Sequence, residues 1–245
     1  MRRALVCLLL VTGCAGPRPA AAPETAPPTT VPPTTVAPTT AAPTTASPTT
    51  PPPTTAPPTS APPVTPSPAR VRYAFPVTGC RATYGRAHHD YPATDIFAKA
   101  GCAYVSPVDG RVDEVEYRDR WTGRTNRGAD RGGLFVSVVG VDGVRYYGSH
   151  LRSVAPGIRP GVRVTRGTKL GEVGTTGSAA GTPPHLHFGL SWPTKPGVWW
   201  VRRGVVAPWP YLDSWRAGGD RSPVAAVAEA RREAGSDAPP CEGYC

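Results

Sequence analysis

The chain has 245 residues and a formal net charge of +10, with 33 prolines and 27 glycines. Against a usual proline share of about 5%, that density excludes a chain that is globular throughout. The basic excess suits an anionic wall or membrane surface, and the export signal described next argues against nucleic acid as the partner.

The N-terminal MRRALVCLLLVTGC places Arg2 and Arg3 before an apolar run from Ala4 to Val11. The run is too short for a membrane span and fits an export signal. Its ending, VTGC, resembles a bacterial lipoprotein lipobox, which implies cleavage before Cys14 and a lipid anchor on that residue. An ordinary secretory signal cut elsewhere is the competing reading. Residues 19–68 then hold 18 prolines and 15 threonines with one charged residue, Glu24. Such a stretch has almost nothing to bury and is expected to be an extended, partly polyproline-II tether. The expected organisation is a signal over 1–13, a tether over 14–69, a globular domain over 70–215, and a tail over 216–245 with a short helix and a disulfide loop. The protein is thus expected on the outer side of a bacterial cytoplasmic membrane, as a monomer anchored there.

From residue 71 short β-prone runs alternate with glycine. RVDEVEY (111–117) follows Asp109-Gly110, while LFVSVV (134–139) and VRYYGSHL (144–151) flank an Asp-Gly hairpin signal at 142–143. GVRVTRGTKLGEVG (161–174) and HLHFGLSW (185–192) are two more such segments. No long 3.6-residue apolar period interrupts them, so the fold class is mainly β, a small antiparallel sheet domain with its loops free to build a groove. The charged loop over 118–133 is long for a hairpin connection and suits a cleft wall. The tryptophans at 199, 200, 209 and 215 are expected to cover one end of the sheet, and 222–235 to form a short helix.

Four cysteines remain once Cys7 leaves with the signal and Cys14 is lipidated, an even number in an oxidising compartment. The preferred pairing is Cys80 with Cys102 and Cys241 with Cys245; a thiolate metal site is the weaker alternative.

The five histidines gather in three places: His88 and His89 in HHDYPATD, His150 in YYGSHL, and His185 and His187 in HLHFGL. On a strand, His185 and His187 share one face while Leu186 and Phe188 take the other. Two adjacent imidazoles are costly to bury without partners, and a metal ion on one of them relieves that cost. One histidine of the 88/89 pair, Asp95 and a strand histidine would make an N2O ligand set with zinc's fourth position open to water. His150 would stand across from that position.

The ordered motifs HHDYPATDIFA, VSPVDGRV, YYGSHL, VRVTRGTKLGEVGTTG and HLHFGL resemble the lysostaphin/LytM-like M23 family of zinc metallopeptidases over about residues 75–190. The resemblance implies a LytM-like (duplicated-hybrid-motif-like) groove fold, one Zn2+ ion, and hydrolysis of peptide bonds in peptidoglycan stem peptides or cross-links. It implies metal binding by His89 or His88 with Asp95 and His187, and catalytic roles for His150 and His185. Two spacings depart from the family pattern. Asp95 follows His89 by six and His88 by seven, where four is usual; His89 needs the smaller loop extension and is preferred, with His88 as the alternative. His150 follows Tyr147 by three, where two is usual. His185 is the expected acceptor of the water's proton, in the absence of an HExxH glutamate, and His150 is expected to stabilise the developing charge or protonate the leaving amine. Glu172 reads as a surface residue, and Arg124 and Arg127 as basic surface able to meet peptide carboxylates. The competing function is a catalytically silent domain of the same fold that binds wall peptide or activates a partner hydrolase; an incidental structural lipoprotein is the third reading.

Overall fold

The structure is a computed structural model that describes residues 70–241. The expected signal, Cys14, the whole of the tether, and Cys245 lie outside the described residues. Ten strands are present: β1 (Val77–Thr78), β2 (Ala82–Tyr84), β3 (Thr94–Ala98), β4 (Ala103–Val105), β5 (Gly110–Glu116), β6 (Leu134–Gly140), β7 (Arg145–Val154), β8 (Arg163–Val164), β9 (Lys169–Val173) and β10 (His185–Ser191). All described pairings are antiparallel, along β1-β4-β9-β7-β10-β3-β2 with β6, β5 and β8 joining through β7. The domain is therefore a small, mainly β, antiparallel sheet that curls almost into a barrel.

β10 shows why the chain folds this way. Its alternation sends Leu186, Phe188 and Leu190 to the core, all fully buried, and burying each such side chain contributes about 1.5–3 kcal/mol relative to exposure. The intervening His185 and His187 then share the opposite face. β3 and β7 flank β10, and the register sets His187 opposite both Asp95 and Ser149. Gly189 has a second duty: a Cβ there would strike the backbone of Arg203. Its bare backbone lets the segment after β10 lie against the strand, where Val205 N–H donates to the Leu190 carbonyl at 2.9 Å.

The Asp-Gly turn forms as expected, with Gly143 at φ 79° between β6 and β7. β7 carries an irregularity that the sequence does not announce. Leu151 pairs with Leu134 and Gly148 with Val136, so Ser149 and His150 together oppose Phe135 alone. This is a β-bulge, and His150 takes the left-handed region at φ 63°, with its N–H donating to the Gly132 carbonyl at 2.9 Å.

Three helices follow β10: α1 (Trp199–Arg202), α2 (Trp209–Arg216) and α3 (Val224–Ala234). α3 ends at Gly235, whose left-handed φ of 64° closes the helix. Trp215 of α2 stacks on Tyr73 with ring centres 5.2 Å apart, while Trp200 and Trp192 donate their indole N–H groups to Pro239 and Asp237 carbonyls. The tryptophans thus cover one end of the sheet and hold the C-terminal residues to it. Cys80 and Cys102 form a disulfide that closes the loop bearing His88, His89 and Asp95. Cys241 is also disulfide-bonded.

Candidate metal centre and catalytic cleft

A cleft of about 380 Å³ opens on the histidine face of β10. All five histidines and Asp95 line it. The sheet supplies Asp95 from β3, His185 and His187 from β10 and His150 from the bulge of β7. The disulfide-closed loop supplies His88 and His89.

Four of the five rings have a backbone carbonyl or carboxylate within hydrogen-bond distance, whereas His88 Nδ1 is buried without a partner. His187 Nε2 lies 2.9 Å from the Arg203 carbonyl, and because a carbonyl only accepts, that nitrogen carries the proton. Nδ1 of the same ring is 3.0 Å from Asp95 Oδ1. With Nε2 protonated, a neutral His187 turns a lone pair toward a carboxylate, an arrangement of two acceptors that calls for a proton or a cation between them. His88 Nε2 stands 3.9 Å from the same Asp95 oxygen. A tetrahedral zinc ion with ligands at about 2.0–2.1 Å places neighbouring donor atoms roughly 3.3 Å apart; the separations from Asp95 Oδ1 are 3.0 Å to His187 and 3.9 Å to His88, while His187 stands outside the set of described side chains whose ligand atoms all lie within 4.8 Å of one another. His88, His89 and Asp95 each offer a ligand atom within 4.8 Å of the others.

The two adjacent histidines differ in setting. The His88 side chain is 5% exposed and its ring centre lies 5.0 Å from that of His187. Burial, followed by the charge of His187, lowers its pKa to about 4, so it stands neutral with lone pairs available at physiological pH. The His89 side chain is 74% exposed, and its Nδ1 engages Asp90 at 3.1 Å. Burial pushes the Asp95 carboxyl upward, but the hydrogen bond and charge of His187, with His185 and His88 behind it, outweigh that and hold it well below the usual carboxylate range.

His150 and His185 form a second pair, with ring centres 5.0 Å apart. His150 Nδ1 donates to the Thr176 carbonyl at 2.8 Å and His185 Nδ1 to the Pro183 carbonyl at 2.9 Å. In both, Nε2 is left as the nitrogen able to take up a proton. Burial, then the charges of His187 and His185, lowers His150 to a pKa of about 3. The bulge accounts for the unusual Tyr147-to-His150 spacing: the extra residue is absorbed at Ser149–His150, and the imidazole still comes within 6.0 Å of His187.

One wall of the cleft is knitted from two loops. Gly177 N–H donates to Asp119 at 2.9 Å, Thr176 Oγ1 donates to the Leu151 carbonyl and accepts from Leu134 N–H, and Gly133 and Gly177 approach so closely that a Cβ on either would collide with the other's backbone. The opposite wall is formed by Tyr91, Trp199, Arg202 and Arg203. Arg202 is committed: it pairs with Glu114 and lies over the rings of Phe135 and Tyr147. The sequence reading had not singled out Tyr91, Arg202 or Arg203. The signal available was the RR pair after a WW pair that begins eight residues past the end of β10. Arg124 and Arg127 do not line the cleft; Arg127 pairs with Asp130 at 3.5 Å. Glu172 engages Lys169 and Ser153 instead.

Residues 89–197 match the model of peptidase family M23. This stretch is homologous to the M23 peptidases. The chain is 30% identical over 157 residues to an L-Ala--D-Glu endopeptidase of Bacillus subtilis strain 168, an alignment covering 61% of this chain and 43% of that relative. The chain thus spans less than half the length of the curated relative it matches. Among solved structures, the catalytic domain of lysostaphin from Staphylococcus simulans aligns with a TM-score of 0.42 and 22% identity, over 54% of this chain and 93% of that one. A putative glycyl-glycine endopeptidase LytM from Ruminococcus gnavus aligns with a TM-score of 0.46 and 22% identity, over 62% and 63%. The M23-like segment spans the β3, β7 and β10 residues of the cleft, and its match begins at His89. The family match gives an M23-peptidase-like segment, and His88, His89 and Asp95 form a candidate His/His/Asp metal site beside it.

Proposed function

We propose that this chain is an M23 zinc-dependent endopeptidase that hydrolyses peptide bonds in peptidoglycan stem peptides or cross-links, exported and anchored by a lipid on Cys14. One observation carries the reading: two adjacent strands set Asp95 and a proton-fixed His187 side by side, with four further histidines around the same cleft. The bond named in the Bacillus subtilis relative, L-Ala to D-Glu, is a candidate bond here.

In this reading His88, Asp95 and His187 hold the zinc ion. The burial of His88, its neutral state and its closeness to His187 favour it over His89, whose ring is turned to solvent. When bound, zinc supplies electrophilic polarisation of a carbonyl and acidification of water. The protein's own groups do the rest. The Arg203 carbonyl keeps His187 in the tautomer that binds through Nδ1, the outer support that metal-binding histidines commonly have. His185, with Nδ1 committed to Pro183, accepts the attacking water's proton at Nε2. His150 resists protonation because it is buried among other imidazoles, so a proton reaching its Nε2 is readily passed to the departing amine. The knitted wall and the aromatic wall hold an extended peptide between them.

The decisive experiment incubates the full chain, stripped of metal and then reconstituted with zinc, with purified peptidoglycan fragments, and reads the products by mass spectrometry. New amine and carboxyl termini at one peptide position are expected only after zinc is restored. Fragments left intact by the zinc-loaded chain would refute the reading. A companion measurement concerns the two adjacent histidines. His88→Ala is expected to lower zinc content to well under half an equivalent, whereas His89→Ala retains about one equivalent, since metal affinity rests on donors that face the ion. The reverse pattern would assign the site to His89.

A further inference from the structure

Three arginines line the cleft, Arg131, Arg202 and Arg203, and they differ in what they face. Arg202 is neutralised by Glu114. Arg203 is not: among the described residues no carboxylate reaches its guanidinium as an ion pair, and its Nε is buried without a hydrogen-bond partner. Asp90, the nearest acid to act on it, engages His89 instead. The guanidinium is nevertheless held in place. It lies 4.0 Å over the ring of Tyr91 and 5.1 Å from that of Trp199, stacking that restrains a long side chain and reduces the freedom lost when it binds a partner.

Its position relative to the reacting centre follows from the same contacts. The Tyr91 ring is 5.7 Å from the His187 ring, so the Arg203 guanidinium sits at most about 10 Å from His187, roughly three residues of extended chain. A half-buried cation that lines a cleft, lies against two aromatic rings and has no ion pair among the described residues is poised for a planar acceptor. Arg131 lines the same cleft, and its like charge repels that of Arg203. Guanidinium matches a carboxylate through paired N–H donors.

We propose that Arg203 is a specificity-determining residue that receives a free carboxylate of the bound peptide, borne within about three residues of the scissile bond. This rests on the peptidase reading above and narrows it: the preferred substrates are acidic peptides whose carboxylates are not amidated. The same residue supports the metal centre through its backbone carbonyl, which a side-chain substitution leaves in place.

The test uses the full chain and short stem peptides of peptidoglycan, made in two forms, with their carboxylates free or converted to carboxamides. The unsubstituted protein is expected to favour the free-acid form in kcat/KM by on the order of tenfold or more. In Arg203→Gln that ratio is expected to fall to near one, and in Arg203→Lys to an intermediate value. Structural damage alone would lower both rates and leave the ratio intact, which would overturn the proposal, as would a ratio near one in the unsubstituted protein. Calorimetric binding of the same two peptides separates this proposal from the peptidase reading. If neither peptide is cut but the free-acid form binds more tightly, and Arg203→Gln abolishes that difference, the carboxylate subsite stands while the peptidase reading falls. Equal binding of the two forms overturns the subsite whether or not cleavage occurs.

Discussion

Replacing His187 with alanine is expected to reduce zinc content to near zero and peptidoglycan cleavage by at least about a thousandfold, while the far-ultraviolet circular dichroism stays that of a folded β domain. The expectation comes from how many roles meet on one ring. His187 offers Nδ1 beside Asp95 and anchors itself to the Arg203 carbonyl through Nε2, so alanine removes one of the three proposed ligands and leaves His88 and Asp95. Two protein ligands fall below the three that a catalytic zinc site needs, and the nucleophile that depends on the ion goes with it. The structural cost is smaller. The Arg203 carbonyl loses one hydrogen-bond partner, about 1 kcal/mol, and the cleft is open enough for water to replace it. Zinc measured by plasma mass spectrometry, alongside a turbidity assay on cell-wall fragments, checks both halves. Cleavage that persists in a correctly folded His187→Ala protein would send the catalytic centre elsewhere.

The second large effect concerns stability. Arg145 is fully buried, with Nε 2.8 Å from Asp113 and its terminal nitrogens on Thr194, and Glu114 lies 3.9 Å away. Arg145→Met is expected to destabilise the domain by about 3 kcal/mol, because it leaves partly buried carboxylates without their cation. Asp113 and Glu114 keep some exposure, so the lower end of the usual range applies. For a domain of this size the melting temperature is expected to fall by roughly 10 °C. Adding Asp113→Leu to Arg145→Met is expected to recover part of the loss, since removing both ends of a buried pair is far less costly than removing one. Thermal and urea unfolding of the two proteins measure this. An unchanged melting temperature in Arg145→Met would mean that the ion network contributes nothing to stability. Glu114 also pairs with Arg202, which lies over Tyr147 in the cleft, so the same substitution is expected to loosen that wall.

The parts of this molecule that were legible in the sequence are those that follow from short periodicities. HLHFGL alternates, and alternation on a strand dictates which side chains share a face; the β class, the Asp-Gly turn and the side-by-side histidines all follow from that one rule. The difference in burial between His88 and His89 was not legible, because the nine-residue loop between β2 and β3 has no period from which to read direction. The preference for His89 rested on loop length, while the structure shows that burial, set by the packing of His88 against Tyr91 and His187, distinguishes the pair. The Tyr147-to-His150 spacing posed the opposite difficulty. An added residue in a strand reads as a slip of register, and only the left-handed backbone at His150 shows that the strand absorbs it locally. Arg203 was hidden for a third reason: its approach to His187 depends on Gly189 lacking a side chain, a contact between segments with no local signature.

The Gly133–Gly177 contact leaves one rim of the cleft without a hinge. Loops that gate active sites swing about a few residues free to change backbone angles, yet here two neighbouring segments meet backbone to backbone and are cross-tied by Asp119 and Thr176. That rim cannot fold over a substrate after it arrives. On the proposed peptidase reading, any tightening around a bound chain would have to come from the facing wall of Tyr91, Trp199 and Arg203.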